Sequence, residues 1–140
     1  MQQHNYSLRV FFEHTDAGGV VYHANYLNFC EQARTEWLRS FGISQQKLKE
    51  ELKLGFVVIH ADCQWRVAAK LDDLLIVQTQ IEKITPVRII FKQQIFRENS
   101  QKNILLFETL LEVACVEFAE SNKIIPKKIP RDLVEKFQKK

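Results

Sequence analysis

In the run Thr15-Asp-Ala-Gly-Gly-Val-Val-Tyr-His-Ala-Asn-Tyr26 an isolated acid, Asp16, precedes paired glycines and a short β-branched stretch. A long helical pattern opens within a few residues of His23. That order brings a carboxylate and a helix N-terminus within reach of one another. The helix tip offers unpaired backbone N–H donors and partial positive charge, and the carboxylate can act as base or nucleophile. Together they form half of an acyl-transfer site: one group activates the attack and the other holds the oxyanion that results.

Such a sparse pair suits a weak bond. A thioester expels a thiolate whose conjugate acid has a pKa of about 8.5 for a cysteine-like thiol, so protonating the leaving group is optional near neutral pH. Groups that harder reactions demand are absent from the sequence. There is no Gly-x-Ser-x-Gly elbow, no His-Glu-x-x-His pair, and no glycine-rich phosphate loop among four glycines. His14 and Asp16 could begin a metal site, but no other His or Cys falls at helpful spacing, so neither metal nor cofactor is expected.

The segment from Phe11 to Tyr26 resembles the signature of the hotdog-fold acyl-CoA thioesterases, in the 4-hydroxybenzoyl-CoA thioesterase-like group and its YbgC-type, Tol-Pal-associated branch. The likeness continues through Glu31-Gln-Ala-Arg-Thr-Glu-Trp-Leu-Arg39. It returns more weakly at Ala69-Lys-Leu-Asp-Asp-Leu74, Val113-Ala-Cys115 and Ile129-Pro130. Two positions depart from the pattern: His14 replaces a frequent acid, and Ala68-Ala69 lacks a usual proline. The resemblance implies an acyl-CoA thioesterase with Asp16 and His23 as catalytic residues. Asp16 would activate water or attack the carbonyl itself, and the His23 backbone N–H would hold the thioester oxygen.

Each role has a plainer alternative. Asp16 could cap the turn beside Gly18-Gly19, the His23 imidazole could be an ordinary packing group, and Tyr26 falls on an apolar stripe. Gly19, Tyr22 and Tyr26 are the expected acyl-site residues, with Gly18 and Gly19 allowing close approach or positive φ. The resemblance places cations for the coenzyme A phosphates at Arg88, Lys123, Lys127 and Lys128; the alternative is ordinary surface charge. Glu31 is the second candidate acid, though pairing with Arg34 is its expected role.

These residues need elements to hold them. Tyr6–Phe12 reads as a first strand. In the segment Asn25–Phe41, Tyr26, Cys30, Ala33, Trp37 and Phe41 recur at spacings of three and four, widened by Leu27 and Leu38, as a largely buried helix requires. Gly42 supplies a left-handed stop, and Ser44 caps a short second helix to Leu52. Beyond Gly55 the pattern changes to strands over Phe56–Val67, Leu74–Ile84, Val87–Glu98 and Ile104–Ala119, separated by breaks short enough for antiparallel neighbours. A last helical turn is expected over Arg131–Phe137. The expected architecture is α+β, a single domain over residues 1–140. A five-stranded antiparallel sheet wraps one long central helix, as the hotdog resemblance implies.

Bulk properties bound the partners. A net charge of +3 falls far short of the dense basic stripe of a nucleic-acid binder. No apolar run is long enough to span a membrane, and the N-terminus lacks the apolar core of a secretory signal. Three scattered cysteines suggest neither a disulfide framework nor zinc, so a reducing cytoplasm is expected. Lys136, Lys139 and Lys140 read as a solvated tail. By family likeness the expected partners are acyl-CoA or acyl-carrier protein as substrate and further copies of the chain, as homodimer or homotetramer. A competing function is a non-catalytic acyl-thioester-binding or envelope-complex partner protein. A dehydratase would need a His/Asp helix motif that the sequence does not contain.

Overall fold

The computed structural model describes residues 3–139, so Lys140 of the expected tail and the first two residues lie outside it. Strand β1 spans His4–Arg9, shorter at its end than the sequence pattern suggests, because Phe12–His14 turn into a 3-10 helix. The central helix α1 runs Asn25–Arg39. It is followed by α2, Gln45–Lys47, which widens into a π-helical turn at Leu48–Leu52. Then come β2 (Leu54–Trp65), β3 (Leu74–Ile84), β4 (Arg88–Arg97) and β5 (Ile104–Phe118). A three-residue strand β6, Ile124–Pro126, and helix α3, Arg131–Gln138, complete the chain.

The strands form one antiparallel sheet in the order β1-β3-β4-β5-β2, with β6 added alongside β5. The five long strands are those expected. The sixth, a Pro-ended segment of three residues, is too short to carry an alternation in the sequence.

Helix α1 buries Tyr26, Phe29, Cys30, Ala33, Arg34, Trp37 and Leu38, a stripe of three- and four-residue steps. The helix stops where the left-handed backbone of Gly42, φ +77°, turns the chain away. Ser44 then accepts the Lys47 N–H at 3.1 Å and starts α2.

Facing α1, the sheet presents Leu75, Val77 and Ile81 from β3, Ile89, Phe91 and Ile95 from β4, and Phe107, Leu111 and Val113 from β5. One row of this wall is polar. Thr79, Gln93 and Thr109 sit side by side across three strands, and all are buried. Gln93 donates to Thr79 Oγ1 at 2.9 Å and to the Cys30 carbonyl at 3.0 Å, and accepts from Arg34 at 2.8 Å. Arg34 also pairs with Glu31. This satisfied band divides the core into two apolar clusters. One lies around Tyr26, Phe29 and Phe107; the other lies around Trp37, Phe91 and Phe137. Among the described residues no helix is long and apolar enough to cross a membrane.

Candidate active site

Residues 14–22 form a small hairpin in front of α1. Asp16 N–H donates to the Val20 carbonyl at 2.9 Å, Thr15 bridges Val21, and Tyr22 N–H donates to the His14 carbonyl at 2.9 Å. Gly19, at φ +79°, makes the tip, a conformation costly for any side chain. The hairpin is pinned to the body from its second arm. Val20 bridges Lys70, and Val21 N–H donates to the Ala69 carbonyl. Ala69 in turn donates its own N–H to the Tyr26 hydroxyl at 3.0 Å. The Ala69-Lys-Leu-Asp-Asp stretch is therefore the clamp for this arm. Lys70 N–H caps onto Asp73 Oδ2 at 2.8 Å, and Arg97 reaches the same carboxylate at 3.2 Å.

Asp16 is exposed at this hairpin. Its Oδ1 accepts the Gly18 N–H at 2.8 Å, so the turn-capping role anticipated as an alternative is present. Oδ2 has no hydrogen-bond partner among the described residues. Gly18 is close enough that an added Cβ would meet Oδ1 at 3.2 Å. Asp16 lies opposite Val20, and His23 follows three residues later on the returning arm.

His23 immediately precedes α1. The helix cap, Ala24, provides no side-chain hydrogen bond, and the first turn contains no acid. The amide tip is therefore left without the usual side-chain acceptor. The His23 carbonyl, by contrast, is held: Trp65 at the end of β2 donates its indole N–H to it at 3.1 Å. The imidazole is exposed, 4.5 Å from the Tyr22 ring and 6.1 Å from that of Trp65. A cleft of about 220 Å³ runs beside it, lined by Val21, His23, Tyr26, Trp65 and Val67. Asp16 does not line this cleft within a single chain.

Tyr26 is 3% exposed and stacks on Phe107 at 5.2 Å. Burial pushes its phenol above the ordinary value, against the Ala69 hydrogen bond, which lowers it. Core packing and the Ala69 contact account for Tyr26, whereas Tyr22 is half exposed beside His23. Glu31 pairs with Arg34 as anticipated.

The candidate cations lie elsewhere. Arg88 begins β4 opposite Ala114 and sits 3.5 Å from Glu112. Lys127 N–H bonds the Cys115 carbonyl, and its amine is 3.8 Å from Glu117. Lys128 follows it, and Lys123 lies at the β5–β6 turn. Trp65 pairs with Phe107 on β5, seven residues from Ala114 and eight from Cys115, so Arg88 and Lys127 are about 23–26 Å along the sheet from the Trp65 end of β2. One chain does not bring the cations to Asp16 and His23. No group of three or more His, Cys, Asp or Glu among the described residues could hold a metal ion.

Nothing in the sequence singles out Trp65, and Ala69 and Asn25 figure there only as members of longer motifs. Trp65 at the end of β2 and Ala69 in the β2–β3 connection act through isolated hydrogen bonds to segments distant in sequence, for which a sequence carries no periodic signal. Asn25 stood inside the motif but reads simply as a helix start.

Comparison with known proteins defines the class. The Thioesterase superfamily profile matches residues 18–104, and the chain belongs to that family. The acyl-CoA thioesterase YbgC of Haemophilus influenzae is 42% identical over 133 residues, covering 95% of this chain and 93% of its own. The acyl-CoA thioester hydrolase YbgC of Escherichia coli O157:H7 is 40% identical over 131 residues, with 94% and 92% covered. Among solved structures, 4-hydroxybenzoyl CoA thioesterase from Pseudomonas sp. strain CBS-3 superimposes with a TM-score of 0.89 over 97% of this chain and 99% of its own. At 16% identity that likeness concerns the hotdog fold alone.

Proposed function

We propose that this chain hydrolyses acyl-CoA thioesters to a free acid and coenzyme A, with Asp16 as the activating carboxylate and the His23 amide as the oxyanion donor. The observation that carries the site assignment is the pairing of a carboxylate with a free oxygen and an uncapped helix tip across one braced hairpin. Attack on the carbonyl carbon forms a C–O bond and shifts charge onto the carbonyl oxygen, where the helix amide meets it. When water is the nucleophile, Asp16 takes its proton; when Asp16 itself attacks, water later cleaves the anhydride. In both routes the C–S bond breaks and the sulfur leaves as thiolate, which takes a proton from solvent.

The working unit in this reading is two copies of the chain, joined along β2. That strand is an edge of the sheet and exposes Val58 and Ile59, a combination that invites pairing. Antiparallel pairing of two β2 edges sets the Leu54 end of one copy beside the Trp65 end of the other. Arg88, Lys127 and Lys128 of one copy then approach the hairpin of its partner, where a coenzyme A tail with several phosphates needs them. The tetramer, and acyl-carrier protein as an alternative thiol carrier, belong to the same proposal. The unpaired thiols Cys30, Cys63 and Cys115 fit a reducing cytoplasm.

Thiol release from purified protein, followed with a chromogenic thiol reagent over acyl-CoA and acyl-carrier substrates, tests the activity. Saturable turnover supports the enzyme. Tight binding without turnover across the panel would favour the non-catalytic binding protein.

A further inference from the structure

Asn25, the first residue of α1, is partly buried and bonded on three sides. Its side-chain Nδ2 donates to the His14 carbonyl at 2.9 Å. Its Oδ1 accepts from Asn28 Nδ2 at 2.9 Å, and its backbone N–H donates to the Tyr22 carbonyl at 2.9 Å. The His14 carbonyl can only accept, so the amide must present its NH₂ there, and the Asn28 bond fixes the same orientation from the other end.

The position of that carbonyl gives the contact its meaning. His14 lies two residues before Asp16, and its carbonyl already accepts the Tyr22 N–H that closes the hairpin. The hairpin carries the acid, and the residue after Tyr22 carries the helix-tip amide. The backbone from Tyr22 to Asn25 is the covalent route from acid arm to helix. Asn25 closes that route into a ring through its side chain.

We propose that Asn25 is a positioning residue that sets the separation of Asp16 from the helix-tip amide by tying α1 to the His14 carbonyl. This rests on the assignment of Asp16 and His23 above. A catalytic geometry displaced by about 1 Å loses on the order of a hundredfold in rate, so a brace that prevents smaller drifts acts on turnover more than on binding.

Two variants separate this role from a generic contribution to the helix. Asn25→Ala removes the donor without adding charge. Asn25→Asp keeps the shape and the acceptor for Asn28 but cannot donate when ionised, and it adds an acid to a first turn that has none, which stabilises a helix. Expected for both is a kcat about tenfold below wild type with KM within twofold, measured by thiol release from acyl-CoA. Melting of Asn25→Asp is expected close to the wild-type temperature, because the gain at the helix N-terminus offsets the repulsion of the new carboxylate by the His14 carbonyl. Activity falling while stability holds is a result that a purely structural asparagine does not give.

Wild-type kcat in Asn25→Ala, or in Asn25→Asp should the alanine variant not fold, overturns the proposal. So does a raised KM at unchanged kcat, which would make Asn25 a substrate-binding group instead. Asp16→Asn measured alongside keeps the two levels distinct. If it retains full activity, the site assignment itself fails. If it is inactive while Asn25→Ala is normal, only the positioning role is lost.

Discussion

Asp16 uses one carboxylate oxygen to hold its own loop and leaves the other without a hydrogen-bond partner among the described residues. A capped turn and a catalytic acid are therefore compatible in the same side chain, since the Gly18 N–H fixes the direction in which Oδ2 projects. In the buried cysteines burial is the main cause of a raised thiol pKa. Cys30 on α1 is 0% exposed and its thiol is pushed up to about 12, by burial; that of Cys115 on β5 is pushed up to about 11 by the same cause. Raised thiol pKa values keep the thiolate, the nucleophilic form, scarce at neutral pH. We expect iodoacetamide at pH 8 to label half-buried Cys63 in the native protein while Cys30 and Cys115 react only after unfolding, as read by mass spectrometry of the peptides. Raising the pH increases the thiolate fraction of both buried cysteines, so their protection should weaken toward pH 11. Fast native labelling of Cys30 at pH 8 would contradict this picture of the α1 face.

At the scale of elements, the polar row beneath α1 matters most. Gln93 is fully buried and joins Arg34, Thr79 and the Cys30 carbonyl. Removing it takes one of two partners from the buried Arg34 guanidinium, which keeps Glu31, and leaves the Thr79 hydroxyl without its amide donor, at about 1–3 kcal/mol for each hydrogen-bonding group left unsatisfied. Gln93→Ala should therefore lower stability by about 3 kcal/mol in urea denaturation, more than an exposed glutamine such as Gln101 would. A loss under 1 kcal/mol would mean that water replaces the amide. The helices and strands themselves were legible in sequence because three- and four-residue steps and strict alternation survive in Tyr26–Trp37 and in Val77–Ile81. What alternation could not reveal is that Thr79, Gln93 and Thr109 occupy inward positions, since a polar residue in a strand reads as outward-facing. The early end of β1 was hidden too. Phe11 and Phe12 look like strand residues, but Phe11 N–H turns back to His14 Nδ1 at 2.8 Å.

At the scale of the whole molecule, the sequence motif located the acid and the helix tip but not how far the cations lie from them. Arg88 and Lys127 are local features of the β4 start and of the strand after Lys123. Their distance from the hairpin depends on the β5 register, which no single segment encodes. The proposed pairing of two β2 edges restores their proximity, and it is testable by itself. A Val58→Lys, Ile59→Lys double variant puts like charges on both edges and should turn a dimer into a monomer in light scattering, with at least tenfold lower kcat/KM. A wild-type protein that is monomeric and fully active at assay concentration would contradict the two-copy site.

The most direct measurement is the single-turnover rate of acyl-CoA hydrolysis by Asp16→Asn beside the wild type, with circular dichroism confirming an unchanged fold. A carboxylate that activates water or attacks the thioester predicts a loss of roughly 10²–10⁴-fold, with substrate still bound. Hydrolysis within a few-fold of wild type, across short, long and aromatic acyl groups, would show that the chemistry belongs to another residue.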